Sequence, residues 1–163
     1  KKIKLIKFNK NFITTKYIKW LNNKNLMQYS DRRHQKHNKK SCRNYLESFK
    51  NSDNKFFAIV DVYTQEHVGN ITAIIDKKNS IAEIGILIGK NNQGYGLVAW
   101  KLMIQYLFSK KIRKVTGGAM INNKAMVKIF IKSKMKFEYL KKKQYLYKKN
   151  KPVDFIGYYK FKK

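Results

Sequence analysis

The sequence predicts an α+β domain built on a mixed, mostly antiparallel central sheet of about seven strands, with about four helices around it. Three observations lead there. At 163 residues, 43% of them hydrophobic, the chain can bury one real core and is too short for two. Its middle holds three consecutive strand-like runs joined by short polar turns, the pattern of an antiparallel meander. Beyond them strand and helix patterns alternate, and a strand-helix-strand unit needs a parallel crossover, so the sheet must be mixed. A single domain over residues 1–163 is expected.

Taken in order, "KKIKLIKF" alternates apolar and polar residues as a half-buried first strand does. In "TTKYIKWLNN", Tyr17, Ile18 and Leu21 share one helical face, with Thr14 or Thr15 as the cap. "LMQYSDRRHQKHNKKS" then loses periodicity and reads as a polar loop over a pocket, before "CRNYLESFKNS" resumes as a short helix. "KFFAIVDVY", "HVGNITAIID" and "SIAEIGILIG" are the meander. A glycine-bearing turn leads into a helix, "LVAWKLMIQYLFSKK", followed by the strand "RKVTGGAMI" and the helix "NNKAMVKIFIKSK". "KFEYLKKKQYLY" and "KPVDFIGYYKFKK" close the sheet, with the lysine-rich segment 141–149 as a solvated hairpin connection.

Several functional classes fall away. One cysteine, Cys42, forms no internal disulfide, and three histidines (His34, His37, His67) give no zinc spacing, so no metal is expected. No apolar run reaches ten residues, so no membrane span is expected, and "KKIKLIKF" lacks the features of a signal peptide; a cytoplasmic location follows as the expectation. The formal charge of +29 invites a nucleic-acid reading. Its distribution argues against nucleic acid as the main partner: only Arg32, Arg33, Arg43 and Arg113 are arginine, and the lysines are spread over the whole chain. The charge supports attraction of a small anionic ligand.

The turn Asn91-Asn92-Gln93-Gly94-Tyr95-Gly96 sits between a strand and a helix, where unpaired backbone N–H groups and the helix dipole favour an anion. It lacks the Gly-Lys-Ser/Thr end of a Walker loop and the third glycine of the dinucleotide fingerprint.

With its flanks, "GKNNQGYGLVAWKLMIQYLF", the turn resembles the acyl-CoA-binding motif of the GNAT acetyltransferases, Arg/Gln-x-x-Gly-x-Gly/Ala, with Asn91 in the first position and Gly94 and Gly96 matching. Downstream, "NNKAMVKIFIKSKMKF" resembles the family's second motif through Asn123, Phe130 and Lys132, and the likeness extends from "WLNN" to "KPVDFIGYY". Lys134 and Met135 stand where the family usually has Gly-Phe, which suggests a different helix end. The resemblance implies acetyl-CoA as co-substrate, with main-chain contacts from Ile86, Leu87 and Ile88 in a strand that splays from its neighbour. It also implies a pyrophosphate cradle over Asn91, Asn92, Gln93, Gly94, Tyr95, Gly96 and Leu97. Asn123 would reach the pantetheine arm, with Phe130 packed against it and Lys132 alongside. Because Phe130 sits where many members carry a tyrosine that protonates the leaving thiolate, another acid or water is implied.

Acyl transfer to an amine also calls for a base. Among the nine acidic residues, Glu47, Asp53, Asp76 and Glu138 fall on loops or exposed faces and Glu66 in a turn, whereas Glu83 lies within a strand of isoleucines. There a raised pKa would suit a base, and the alternative is a carboxylate on the solvent face or paired with a lysine. For the acceptor, Asp31, Arg32, Arg33 and His34 are the candidate wall, the arginines suiting a phosphate or carboxylate, while Tyr29 and Trp20 read as core. The opening resembles family members acting on nucleotide-linked amino sugars or on ribosomal-protein N-termini. A nucleotide-linked amino sugar is therefore the expected acceptor, of a monomer or homodimer. A protein N-terminus or a polyamine is the alternative acceptor, and a catalytically silent CoA-binding module is the alternative of another class.

Overall fold

The computed structural model describes residues 2–89 and 94–162. Seven strands form one sheet in the order β1-β2-β3-β4-β5-β7-β6. They are β1 Ile3–Lys7, β2 Lys55–Asp61, β3 His67–Asp76, β4 Ile81–Ile88, β5 Lys114–Met120, β6 Lys136–Tyr147 and β7 Lys151–Phe161. Every neighbouring pair is antiparallel except β4 and β5, the two strands on either side of the helix α4, Tyr95–Ser109. The mixed α+β sheet and its β2-β3-β4 meander are as the sequence predicts. The other helices are α1 Thr15–Leu21, α2 Lys24–Met27, α3 Lys39–Glu47 and α5 Lys124–Lys132.

Strand alternation divides the core between the two faces. Ile59 of β2 joins Ile71, Val115 and the α4 residues Trp100, Met103 and Leu107 in one cluster, while its neighbours Phe56, Ala58 and Val60 join Phe8, Tyr17, Trp20 and Cys42 in the other. Each fully buried side chain of the size of Leu107 contributes about 1.5–3 kcal/mol. Helix starts follow their caps: Thr14 Oγ1 accepts from the Tyr17 N–H at 3.2 Å. Among the described residues no helix is long and apolar enough to cross a membrane.

Four local expectations change. The polar stretch from Leu26 to Ser41 is more structured than a loop: α2 reaches into it, and a 3-10 turn, Asp31–His34, is capped by the Ser30 hydroxyl. The helix α3 starts at Lys39 rather than Cys42, because Asn38 and Ser41 exchange side-chain and backbone hydrogen bonds as a capping box. Polar turns held by caps carry no apolar period, which hides them from pattern reading. The segment 141–149 is mostly strand, since β6 runs to Tyr147 and only Lys148–Asn150 makes the connection to β7.

The fourth change concerns the end of α5. Lys134 adopts φ 56°, its N–H donates to Ile131 O at 2.9 Å, and the Met135 N–H donates to Phe130 O at 3.1 Å. This is the helix end that a glycine ordinarily makes, so the shape survives although the glycine does not. Lys134 bears the strain of a left-handed conformation. Lys134→Gly should therefore stabilise the protein by about 0.5–1 kcal/mol, the relief of strain outweighing the added flexibility of the unfolded chain. Urea denaturation of the two proteins side by side checks it.

Candidate active site

The site begins where the sheet opens. β3 pairs with β4 along all of Ile81–Ile88, but β4 and β5 pair only through Ile81↔Lys114, Ala82↔Val115 and Glu83↔Thr116. Past Glu83 the two parallel strands part, and among the described residues no strand lies on the β5 side of Ile84–Ile88. Backbone groups on that side need partners, and an extended amide-bearing chain could supply them as an added strand would. The opening continues into a cleft of about 980 Å³ lined by Ile86, Leu87 and Ile88, by Gly94 to Leu97 and by Asn123 and Lys132. The structure thus gathers most of the expected cofactor residues in one place. Asn91, Asn92 and Gln93 lie outside the described residues.

At the mouth of the cleft, α4 opens at Gly94, whose φ of 76° favours glycine and which offers no side chain to cap the helix. The helix that starts there is 15 residues long, so its dipole adds partial positive charge at the mouth of the cleft. Tyr95 holds this end down. Its ring is 2% exposed and its hydroxyl donates to Asp61 Oδ2 at 2.7 Å, while Asp61 Oδ1 accepts from the Tyr63 and Thr64 N–H groups at 2.9 and 3.1 Å. The bond to the Asp61 carboxylate, with burial, pushes the Tyr95 hydroxyl up to about 12. Tyr95 therefore serves the turn by anchoring it to the end of β2. Asp61 was not among the candidates, and the only sequence signal for it is a carboxylate at a strand end followed by a turn. Tyr95→Phe should lower the melting temperature by a few degrees and weaken CoA binding; calorimetry of both reads the effect.

On α5, Asn123 caps the helix by accepting from the Met126 N–H at 3.2 Å, and Lys128 and Lys132 also line the cleft. Phe130 does not. It is fully buried, with ring centroids 5.5 Å from Trp100 and 4.9 Å from Tyr158, so it supports the cleft wall from behind rather than packing on a ligand.

Glu83 faces the other limb of the cleft. Along β4, Ala82 and Ile84 are buried in the α4 core while Glu83 and Gly85 are exposed on the opposite face. Glu83 is the last residue paired to β5, so its carboxylate stands at the apex of the opening. Among the described residues no lysine or arginine lies within 4.0 Å of it, which removes the structural ion pair as its explanation.

The floor beside Glu83 is made by rings lying across glycines. A Cβ at Gly118 would come within 2.4 Å of the Phe155 ring, and one at Gly157 within 2.3 Å of the Tyr139 ring. The roof is a clasp between the α2 region and the end of β6. Tyr29 stacks on Tyr147 at 5.4 Å and 4°, Tyr147 donates to Gln28 Oε1, and Arg33 donates to Ser30 O and Leu146 O at 2.8 Å each. Tyr29, read as core from the sequence, is a cleft residue; Trp20 is core, at 8% exposure.

The expected acceptor wall is split. Asp31 and Arg32 line the cleft, Arg32 with its guanidinium 4.1 Å from the Tyr45 ring centre. Arg33 and His34 instead line a separate cavity of about 240 Å³ with Asn23, Lys24 and Lys36. Tyr145 and Phe155, which line the same cleft, were missed because only the fold of the hairpin β6-β7 brings them to residues 29–32.

Comparison with known proteins agrees with this geometry. A family model described as an acetyltransferase (GNAT) domain matches residues 10–136. No protein of curated function matches the sequence. A spermidine N-acetyltransferase from Vibrio cholerae, solved with CoA and spermine, superposes with a TM-score of 0.86 at 15% identity, covering 98% of this chain and 95% of that one. A ribosomal L7/L12 alpha-N-protein acetyltransferase in complex with coenzyme A gives 0.85 at 17% identity over 98% and 93%. The microcin C7 self-immunity acetyltransferase with acetyl-CoA and AMP gives 0.82 at 19% over 98% and 92%.

Proposed function

The chain belongs to the GNAT acetyltransferase family, and from that premise we propose that it moves the acetyl group of acetyl-CoA to the primary amine of a small molecule held on the Glu83 face of the cleft. The observation that carries the reading is the opening of β4 from β5 past Glu83, running in one cleft to the start of α4 at Gly94. Ile86 to Ile88 offer main-chain groups to the amide-bearing arm and thioester oxygen. The N–H groups from Gly94 to Leu97 hold the pyrophosphate, with Asn123 and Lys132 along the other side. The +29 charge of the chain draws the anionic co-substrate in.

Glu83 receives the proton that the amine gives up, directly or through one water, at the point where the strands part. No hydroxyl stands at position 130, and Phe130 is closed off in the core, so water entering the cleft protonates the departing thiolate. A nucleotide-linked amino sugar is a second reading of the acceptor, favoured by Arg32, the one arginine of the pair that lines the cleft. Thiol release from acetyl-CoA, followed with amino sugars, diamines and peptides bearing free N-termini, tests the assignment. Turnover with a small amine supports it; tight CoA binding with no turnover on any amine would establish a silent CoA-binding module instead.

A further inference from the structure

We propose that Asn70 reads an oxygen carried near the reacting amine of the acceptor, and that His67 is the residue that positions the Asn70 carboxamide to do so. This rests on the transfer reading and adds a specificity residue and its holder to it. Asn70 is 4% exposed, and it lines the cleft. It pairs with Leu87 across β3 and β4, in the middle of the Ile86–Ile88 stretch that meets the thioester arm. Leu87 packs with the Phe56 and Trp20 cluster, and paired residues share a face, so the Asn70 side chain stands on the same side of the sheet as Glu83. Gly85, between Glu83 and Leu87 on that face, presents no side chain and leaves the floor open from the base to Asn70.

A bulge brings His67 to it. The β2-β3 register steps from Ile59↔Gly69 to Val60↔His67, so Val68 is an extra residue, and His67 and Asn70 come out on one face although they are three apart. There Phe8, Phe12, Tyr17 and Trp20 enclose the His67 ring, with centroids between 5.1 and 6.1 Å away. Its Nε2 lies 3.0 Å from Gly69 O and 2.7 Å from Asn70 Oδ1. A backbone carbonyl only accepts, so Nε2 carries the proton, and burial pushes the ring's pKa down and keeps it neutral. That N–H decides which end of the carboxamide it meets: the oxygen turns to His67 and the Nδ2 amino group turns away.

Among the described residues Nδ2 of Asn70 has no hydrogen-bond partner. Nor does His67 need Asn70, since Gly69 O already accepts from it. A buried amide with one end unspent is costly until a ligand completes it, whereas a leucine at position 70 would extend the apolar cluster at no such cost. Thr72, the next side chain of β3 on this face, has its hydroxyl turned to Gly85 O at 3.4 Å, which leaves Asn70 as the unspent donor of the strand. What completes it is an oxygen of the acceptor, either a hydroxyl, as on an amino sugar, or a carbonyl, as on an amino-acid amide.

The test follows acetyl-CoA turnover by the intact protein with two matched pairs of amines. Comparing 2-aminocyclohexanol with cyclohexylamine reports a hydroxyl, and glycinamide with propylamine a carbonyl. In the parent, kcat/KM for the oxygen-bearing member of one pair should exceed that of its partner by about tenfold. Most of that ratio should vanish in Asn70→Leu and part of it in His67→Phe, which keeps a ring among the aromatics and removes the N–H. A merely structural role would lower both members of a pair alike and leave the ratio. Nitrogen NMR of the parent needs neither variant nor turnover: His67 should be protonated at Nε2, and the Asn70 side-chain amide should shift when the oxygen-bearing amine, but not its partner, is added to the CoA-bound protein. Such a shift without turnover would overturn the transfer reading and keep this inference. Turnover with no preference in either pair, a preference that survives Asn70→Leu, or a His67 ring protonated at Nδ1 would overturn this inference and keep the transfer reading. Neither turnover nor a shift would overturn both.

Discussion

Glu83→Gln should reduce kcat by about 10²–10⁴ at neutral pH, the usual contribution of a positioned general base, while CoA affinity stays near that of the parent. The reasoning starts from the strand. Alternation along β4 puts Ala82 and Ile84 into the α4 core and leaves residue 83 on the cleft face, so glutamine changes the charge without disturbing packing. Position 83 is also the last rung before the strands separate, and the thioester carbonyl that pairs with Ile86–Ile88 would lie just beyond it. An alkyl amine arrives mostly as its ammonium form at neutral pH, and a nearby carboxylate is the group that relieves it of the proton. The deficit should therefore shrink as pH approaches the amine's own pKa, where solvent does the same work. Steady-state rates across pH, with CoA titrations on both proteins, decide the matter. An unchanged rate would remove Glu83 from the chemistry.

Phe130→Ala should cost about 3–5 kcal/mol of stability, the range for emptying an aromatic site in a packed core. Phe130 is fully buried between Trp100 and Tyr158, and Trp100 is itself tied to Met135 by an indole N–H donated to its sulfur at 3.2 Å. Trp100 lines the cleft, so its loss of backing should also loosen the wall and weaken CoA binding. Phe130→Tyr separates the two views of this position. A hydroxyl placed in the core has no route to a leaving thiolate, so kcat should not rise, and stability should fall by about 1–3 kcal/mol if the hydroxyl stays unpaired. A gain in kcat would show that the ring reaches the ligand. Denaturant curves and single-turnover rates on the same samples give both answers.

Much of this was readable in the chain because its signals are local. Strand alternation in "KKIKLIKF" and "SIAEIGILIG" identifies β1 and β4, while the face on which Glu83 lies is open in the sequence and comes from the burial of Ala82 and Ile84 against α4. The turn before α4 carries its glycines in the open, and the order of elements calls for a parallel crossover in a mixed sheet. What stayed hidden depends on distant contacts. Nothing near Tyr145 or Leu146 announces that they meet Arg33 and Asp31, more than a hundred residues earlier. The strand "KFEYLKKKQYLY" is visible, but its lysines blur where it ends and the hairpin connection begins, because an edge strand with little to bury has no apolar period to show. Lys134 hides a glycine-type helix end behind a residue that rarely makes one.

The rings lying over Gly118 and Gly157 impose a rule on how the chain can change. A side chain at Gly118 would occupy the space of the Phe155 ring, and one at Gly157 that of Tyr139. The two partners face each other across strands, so each glycine and its ring are inherited as one unit. Drift that freely exchanges surface lysines cannot enlarge either glycine first, and a larger residue there becomes tolerable only after a smaller one has replaced the ring on the neighbouring strand. Acceptor preference in descendants of this protein would then shift by paired substitutions across β5, β6 and β7, with single changes at the glycines lost along the way.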